Sequence, residues 1–292
     1  MNVTLIGTGL LGRAVAERLH QTGRSVTVYN RTRSRAEPLK ERGLRVAGSC
    51  KEAVESSDTT FLLLADAPAI RSVLFGKDAP DLVGRIVIQM GTIAPEESRS
   101  LRETIVRAGG EYCEAPVLGS VTEARSGALL LLFGGTDEQF TRLRDLFHSL
   151  ATSPAYIGPV GKAAALKLAL NQLIAAEIAA FSLSLGLVRQ EDVDVSLFMK
   201  ILRESALYAP TYDKKLPRLL ERDYTNPNFS TRHMLKDVRL ILDEAEMHRL
   251  STGGLAGLVP LLSRSIDQGL GDNDYSALYD VIHPPRRATE SQ

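Results

Sequence analysis

Cysteine is scarce in this chain: only Cys50 and Cys113 occur among 292 residues. Two thiols cannot make a disulfide framework, and bare thiols suit a reducing compartment, so the expected location is cytoplasmic. Neither has a partner at ligand spacing, and His20, His148, His233, His248 and His283 are scattered, so no metal site is expected. An excess of one charge is also missing. Thirty-five Lys and Arg balance thirty-five Asp and Glu, which removes the global field that would draw nucleic acid or an anionic membrane. Neither partner is expected. The longest apolar stretch, around Ala163 to Val188, is broken by Lys167, Asn171, Gln172 and Glu177, so no membrane span is expected. The first residues read as a strand pattern, so no signal peptide is expected. What remains is 44% hydrophobic and 24% charged, long enough for two domains and a large core.

The opening carries the most information. Val3-Thr4-Leu5-Ile6 reads as a buried strand, Gly7-Thr8-Gly9-Leu10-Leu11-Gly12 as a glycine turn, and the Ala/Val/Leu run after it as a helix. A second strand, Val26-Thr27-Val28-Tyr29, arrives within about thirty residues, the span of a βαβ unit that holds a dinucleotide. Gly7 serves the tight turn, Gly9 the approach of backbone to pyrophosphate, and Gly12 close packing of helix on strand. The pyrophosphate would sit over the positive end of the helix that begins near Leu10 and Leu11.

The end of the second strand speaks to which dinucleotide. An NAD site usually has Asp or Glu there, but this chain has Asn30, Arg31 and Thr32, with Arg33 and Arg35 close behind. No acid occurs from 30 to 36. A carboxylate would repel a 2′-phosphate, whereas a guanidinium beside a neutral amide accepts one, so NADP(H) is expected.

Strand and helix alternate through the first half. Strands are expected at 2–6, 25–29, 44–47, 59–64 and 85–89, with helices near 10–22, 33–42, 50–56, 68–75 and 95–108. Such alternation predicts a parallel sheet covered on both faces. Strand-like pieces at 111–115, 128–134 and 154–157 and a helix at 137–149 extend it. From Gly161 to about 282 helical periodicity takes over. The run 162–188 is apolar on most faces and is expected to be a long helix buried between domains or subunits. Pro284 to Gln292 reads as a frayed tail.

Lys167 and Asn171 lie four apart on that helix and share a face. Spacing leaves two readings open. In one, Lys167 reaches to solvent from the helix start while Asn171 bonds to a neighbour. In the other, the ammonium donates a proton to a carbonyl oxygen as hydride arrives, with Asn171 orienting it. Cys113 reads as core, and His233 and Arg125 as solvated surface residues.

Four ordered motifs resemble the β-hydroxyacid dehydrogenase family, which includes the 3-hydroxyisobutyrate dehydrogenases and the glyoxylate/succinic semialdehyde reductases. They are the glycine fingerprint, Ala115-Pro116-Val117-Leu118-Gly119, the run from Gly158 and Gly161 to Lys167 and Asn171, and Lys236-Asp237. The resemblance implies an α/β Rossmann-type doubly wound parallel sheet over 1–160, then an all-α substrate and dimerisation domain over 161–292. It implies Lys167 as catalytic acid/base and Asn171 beside it. Gly119 and Ser120 would grip a substrate carboxylate, Thr92 would lie near nicotinamide and substrate, and Leu64 and Ala65 would line the cofactor groove. Lys236 would touch the cofactor, Asp237 would help hold the site, and Phe229 would form an aromatic wall.

Two departures stand out. The family commonly has serine where this chain has Leu118, and Asp where it has Glu114, so the catalytic set looks intact while the carboxylate grip is altered. The resulting expectation is an NADP(H)-dependent oxidoreductase acting on a small aldehyde, keto acid or hydroxy acid, assembled as a homodimer or homotetramer. Two alternatives accompany it. One is an imine reductase-like enzyme with a neutral substrate, toward which Leu118 leans. The other is a non-catalytic dinucleotide-binding scaffold, against which Lys167 and Asn171 argue.

Overall fold

Leu5 and Ile6 are adjacent and both buried, yet they belong to different apolar clusters. Successive side chains on a strand point to opposite faces, so a strand buried throughout must be covered on both sides. In the computed structural model, which describes residues 1–285, β1 (Asn2–Ile6) is such a strand. The tail expected from Pro284 to Gln292 falls, from Arg286 onward, outside the described residues. After β1 come α1 (Leu10–Gln21), β2 (Ser25–Tyr29), β3 (Arg45–Val46), α2 (Cys50–Glu55), β4 (Thr59–Leu62), α3 (Ala67–Phe75), β5 (Ile86–Gln89), α4 (Pro95–Arg107) and β6 (Glu111–Glu114).

The two-faced burial repeats along the sheet. Phe61, Ile88 and Cys113 join Leu5 and the α1 residues Val15 and Leu19. Leu62, Val87 and Tyr112 join Ile6 on the other face with Ile70, Leu74, Leu101 and Ile105. Each fully buried large apolar side chain contributes about 1.5–3 kcal/mol. The strands run in the order β3-β2-β1-β4-β5-β6, all parallel. That is a Rossmann-type doubly wound sheet. Its order reverses between β1 and β4, and in such sheets ligands bind outside the carboxyl ends of the strands at that reversal.

Two local expectations shift. The helix expected over 33–42 is two 3₁₀ turns, Arg33–Arg35 and Glu37–Arg42. Pro38 restricts the residue before it and supplies no N–H, which disfavours a continuous α-helix. Beyond Pro116, β7 (Val117–Leu118) and α5 (Val121–Ser126) precede β8 (Leu130–Gly134), α6 (Asp137–His148) and β9 (Ala155–Gly158). β8 runs antiparallel to both β6 and β7, and β9 follows β8, so the sheet is parallel-dominated with an opposed margin.

The remainder is helical: α7 (Lys162–Gln190), α8 (Val195–Glu204), α9 (Pro210–Glu221), α10 (Thr231–Met247), α11 (Gly253–Ala256), α12 (Leu258–Ser265) and α13 (Leu278–Ile282). Two compact units result, Met1–Leu168 and Ala169 onward, with α7 running through the boundary. In the second unit α12 packs on α10 and α13, burying Met234, Val238, Leu262 and Leu278. A buried ion pair, Lys215 Nζ to Asp274 Oδ1 at 2.7 Å, ties α9 to the segment before α13. Burial lowers the Lys215 pKa, and the Asp274 carboxylate opposes that shift. α7 is not covered all round. Leu173, Leu183 and Leu187 are 52%, 56% and 60% exposed, so one apolar face remains open in the single chain.

Candidate active site

The turn after β1 and the first turn of α1 are built so that only glycine fits at one position of each. Gly7 has φ +102°, and a Cβ there would lie 2.2 Å from the Leu63 carbonyl oxygen. A Cβ on Gly12 would lie 2.0 Å from the Gly7 carbonyl oxygen, so helix and turn touch backbone to backbone. Gly9 differs: nothing lies within 4 Å of its Cβ position, and it is the N-cap of α1 with no side-chain cap. Open space before an uncapped helix start that holds no acid in its first turn is what a pyrophosphate requires.

Asn30 shapes the neighbouring rim. Its Oδ1 accepts the Thr8 N–H at 3.1 Å and its Nδ2 donates to the Thr32 carbonyl at 2.9 Å. The side chain thus splices the glycine loop to the turn after β2. The three arginines there have different situations. Arg33 is paired with Glu37 at 2.5 Å, and the Arg35 carbonyl accepts from Arg13 Nε at 3.1 Å. Arg31 is exposed, and no described residue engages its guanidinium.

On the same sheet edge, the loops after β4 and β5 meet closely. A Cβ on Gly91 would lie 2.5 Å from the Leu64 carbonyl oxygen, and Gln89 Nε2 donates to the Gly91 carbonyl at 3.0 Å. This contact sets Leu64 and Ala65 beside Met90-Gly91-Thr92. Leu64 and Thr92 are half-buried, and Ala65 is exposed.

Glu114, at the end of β6, fixes the start of α7. Its Oε1 accepts the backbone N–H groups of Gly161, Ala163 and Ala164 at 2.8, 2.9 and 3.1 Å. Lys162 N–H goes to the Pro159 carbonyl and Ala165 N–H closes the first turn on Gly161, so every early donor is accounted for. The other carboxyl oxygen accepts from the Ser98 hydroxyl, which also meets the Tyr112 hydroxyl. Burial pushes the Glu114 pKa up, while Ser98 and the three amides pull it down. Lys167, little more than a turn along the anchored helix, is buried.

One turn beyond Lys167, Asn171 is buried and donates from Nδ2 to Asp237 Oδ2 at 2.7 Å. Asp237 Oδ1 pairs with Lys236 Nζ at 2.8 Å. The Asn171 amide is therefore oriented by a carboxylate that is itself held by a cation. Its Oδ1 is buried and accepts from no described residue. Phe229 is half-buried, with its ring 5.8 Å from Tyr275 in an edge arrangement.

Residues 2–158 match the family described as the NAD binding domain of 6-phosphogluconate dehydrogenase, and residues 161–282 that described as NAD-binding of NADP-dependent 3-hydroxyisobutyrate dehydrogenase. Glyoxylate/succinic semialdehyde reductase 1 of Arabidopsis thaliana is 31% identical over 97% of this chain and 98% of its own length. The chain belongs to the β-hydroxyacid dehydrogenase family. Cytokine-like nuclear factor N-PAC of Drosophila melanogaster is 28% identical over 82% of this chain and 40% of its own. In fold, 3-hydroxyisobutyrate dehydrogenase from Salmonella typhimurium superposes with a TM-score of 0.86 at 21% identity, covering 96% of this chain and 99% of that one.

This β-hydroxyacid dehydrogenase family member carries the NAD-binding domain architecture over nearly its whole length. At Gly119 φ is +120°, and a Cβ would lie 2.9 Å from Leu129. Ser120 gives its N–H and its hydroxyl to the carboxylate of Glu123, at 2.7 and 2.6 Å. Arg125 is exposed against Glu17, and Cys113 is core, with its thiol pKa pushed far up by burial. His233 is exposed and shares a 2.7 Å hydrogen bond with Ser230. Sequence reasoning missed three contributors. Gly91 was visible only as part of Met90-Gly91-Thr92, since its need for glycine arises from Leu64. Glu114 stood out only as a change from Asp. Glu123 was legible as the fourth residue of a Ser-x-x-Glu pattern starting at Ser120.

Proposed function

We propose that the chain is an NADP(H)-dependent reductase of small carbonyl compounds, working in reverse as a hydroxy-compound dehydrogenase, with Lys167 as its acid/base. One observation carries this reading. A buried lysine follows a helix start locked by Glu114, and Asn171, one turn on, is held by Asp237 with its own acceptor oxygen still open.

NADPH, when bound, supplies the hydride that goes to the carbonyl carbon. The chain does the rest. Gly7, Gly9, Leu10, Leu11 and Gly12 hold the pyrophosphate, and Asn30, Arg31 and Thr32 the adenosine end with its 2′-phosphate. Leu64, Ala65, Thr92 and Lys236 line the nicotinamide end. Lys167 Nζ gives its proton to the carbonyl oxygen, or takes it back in the oxidative direction. Asn171 steadies that proton transfer, Asp237 orients Asn171, and Phe229 walls the substrate. Gly119 and Ser120 border the substrate end away from the reacting carbon.

The open apolar row on α7 supports a homodimer or homotetramer, and the two free thiols support a cytoplasmic setting. We assign the cofactor domain to 1–160 and the helical substrate and dimerisation domain to 161–292. The deciding experiment is NADPH oxidation by Lys167→Met, with cofactor binding followed by fluorescence. A rate loss of about a hundredfold or more with binding retained is expected. An unchanged rate would overturn the assignment.

A further inference from the structure

β6 and β7 act as one strand bent at Ala115-Pro116, since both pair antiparallel with β8. It runs past the carboxyl edge of the parallel sheet, the edge from which the glycine loop, Leu64-Ala65 and Met90-Thr92 also leave. Gly119 and Ser120 come next. The first is confined to glycine by its φ and by Leu129, so the backbone at this point has little latitude.

Both donors that Ser120 offers converge on a single oxygen, Oε2 of Glu123. A serine and a glutamate three apart commonly trade bonds at a helix start, but here the hydroxyl donates to the carboxylate as well as the N–H. Charge-assisted bonds of this length are the strong kind. Leu118, two residues before Ser120, contributes an alkyl side chain that carries no donor. The element therefore already contains an anion, supplied by the chain.

We propose that Glu123 sets the substrate class of this site: it occupies the donors that a substrate carboxylate would need, so the enzyme takes carbonyl compounds with no carboxylate at that end. The inference rests on the reading of Lys167 and Ser120 given above. An incoming carboxylate would have to displace Glu123 from both donors and lie beside it, two like charges competing for the same hydrogens. A neutral carbonyl compound asks for neither and meets Leu118 instead.

The test compares succinic semialdehyde with its methyl ester, the same aldehyde with and without the charge, for the wild type, Glu123→Ala and Glu123→Gln. NADPH oxidation gives kcat/KM for each pair. The wild type is expected to prefer the ester at least tenfold. Glu123→Ala should lower the ester-to-acid ratio at least tenfold, mainly through KM for the acid. Glu123→Gln, which keeps the size and removes the charge, should move it the same way by less, and it carries the test if the alanine variant does not fold. A wild type that prefers the acid, or ratios in both variants within twofold of wild type, overturns the role of Glu123 while leaving Lys167 chemistry standing. Failure of every protein to oxidise NADPH with either aldehyde overturns the catalytic reading and this inference together.

Discussion

Glu114 accepts the backbone N–H of Ala163 at 2.9 Å across forty-nine residues of chain, and so joins the last parallel strand to the helix that bears Lys167. Removing the carboxylate leaves three amides without their acceptor at a buried helix start. Glu114→Ala is expected to lose about 3–5 kcal/mol of stability in denaturant unfolding. Glu114→Gln keeps one acceptor oxygen and should lose less, about 1–3 kcal/mol. Unfolding midpoints equal to wild type for both would show that this anchor carries no energy.

Gly9 and Gly12 should respond differently to the same added methyl. Gly12→Ala drives a Cβ into the Gly7 carbonyl and is expected to cost about 1–3 kcal/mol by overpacking. Gly9→Ala meets no protein atom, so its thermal midpoint should stay near wild type while dinucleotide affinity falls about tenfold or more. Thermal unfolding and cofactor titration of the two variants separate these outcomes. A Gly9→Ala protein that binds as tightly as wild type would contradict the placement of the pyrophosphate.

Arg31 and Arg33 are two apart and similarly exposed, but only Arg33 is engaged by Glu37. Arg31→Ala should raise the KM for NADPH roughly tenfold, about the worth of one charge-assisted phosphate contact, and leave NADH little changed. Arg33→Ala should have a smaller effect on NADPH. Equal effects of Arg31→Ala on both cofactors would remove the 2′-phosphate from this turn.

Asp213 supplies a test by pH. Arg203 and the Tyr208 hydroxyl hold its carboxyl well below the usual range, at about 2. Because the folded value lies below the unfolded one, the stabilisation is present above the ordinary carboxylate pKa of about 3.9 and is lost as pH falls toward 2. Carbon-13 carboxyl titration should find the midpoint near 2 in wild type. In Arg203→Ala it should return toward about 4. A wild-type midpoint near the ordinary value would mean the ion pair does not persist in solution.

Much of the architecture was readable because its causes are local. Apolar runs of four or five residues can be buried strands only if both faces of the sheet are covered, and the alternation with helices made that sheet parallel. The place where helical texture replaced β-rich runs also lay in plain sight at Gly161. Pro38 is the local signal that breaks the helix expected over 33–42 into two 3₁₀ turns.

By itself the sequence determined the βαβ unit, the glycine positions, the basic rim after β2, and the spacing that puts Lys167 and Asn171 on one helical face. All of these depend on residues within a few turns or one strand–helix repeat of each other, where dihedral limits and side-chain periodicity suffice. Only the tertiary structure decided that Glu114 secures the start of α7, that Asp237 holds Asn171 across sixty-six residues, and that Gly91 must be glycine because Leu64 passes over it. A buried hydrogen-bonding group takes whichever partner the packed chain brings within reach, and that choice is made by the whole fold.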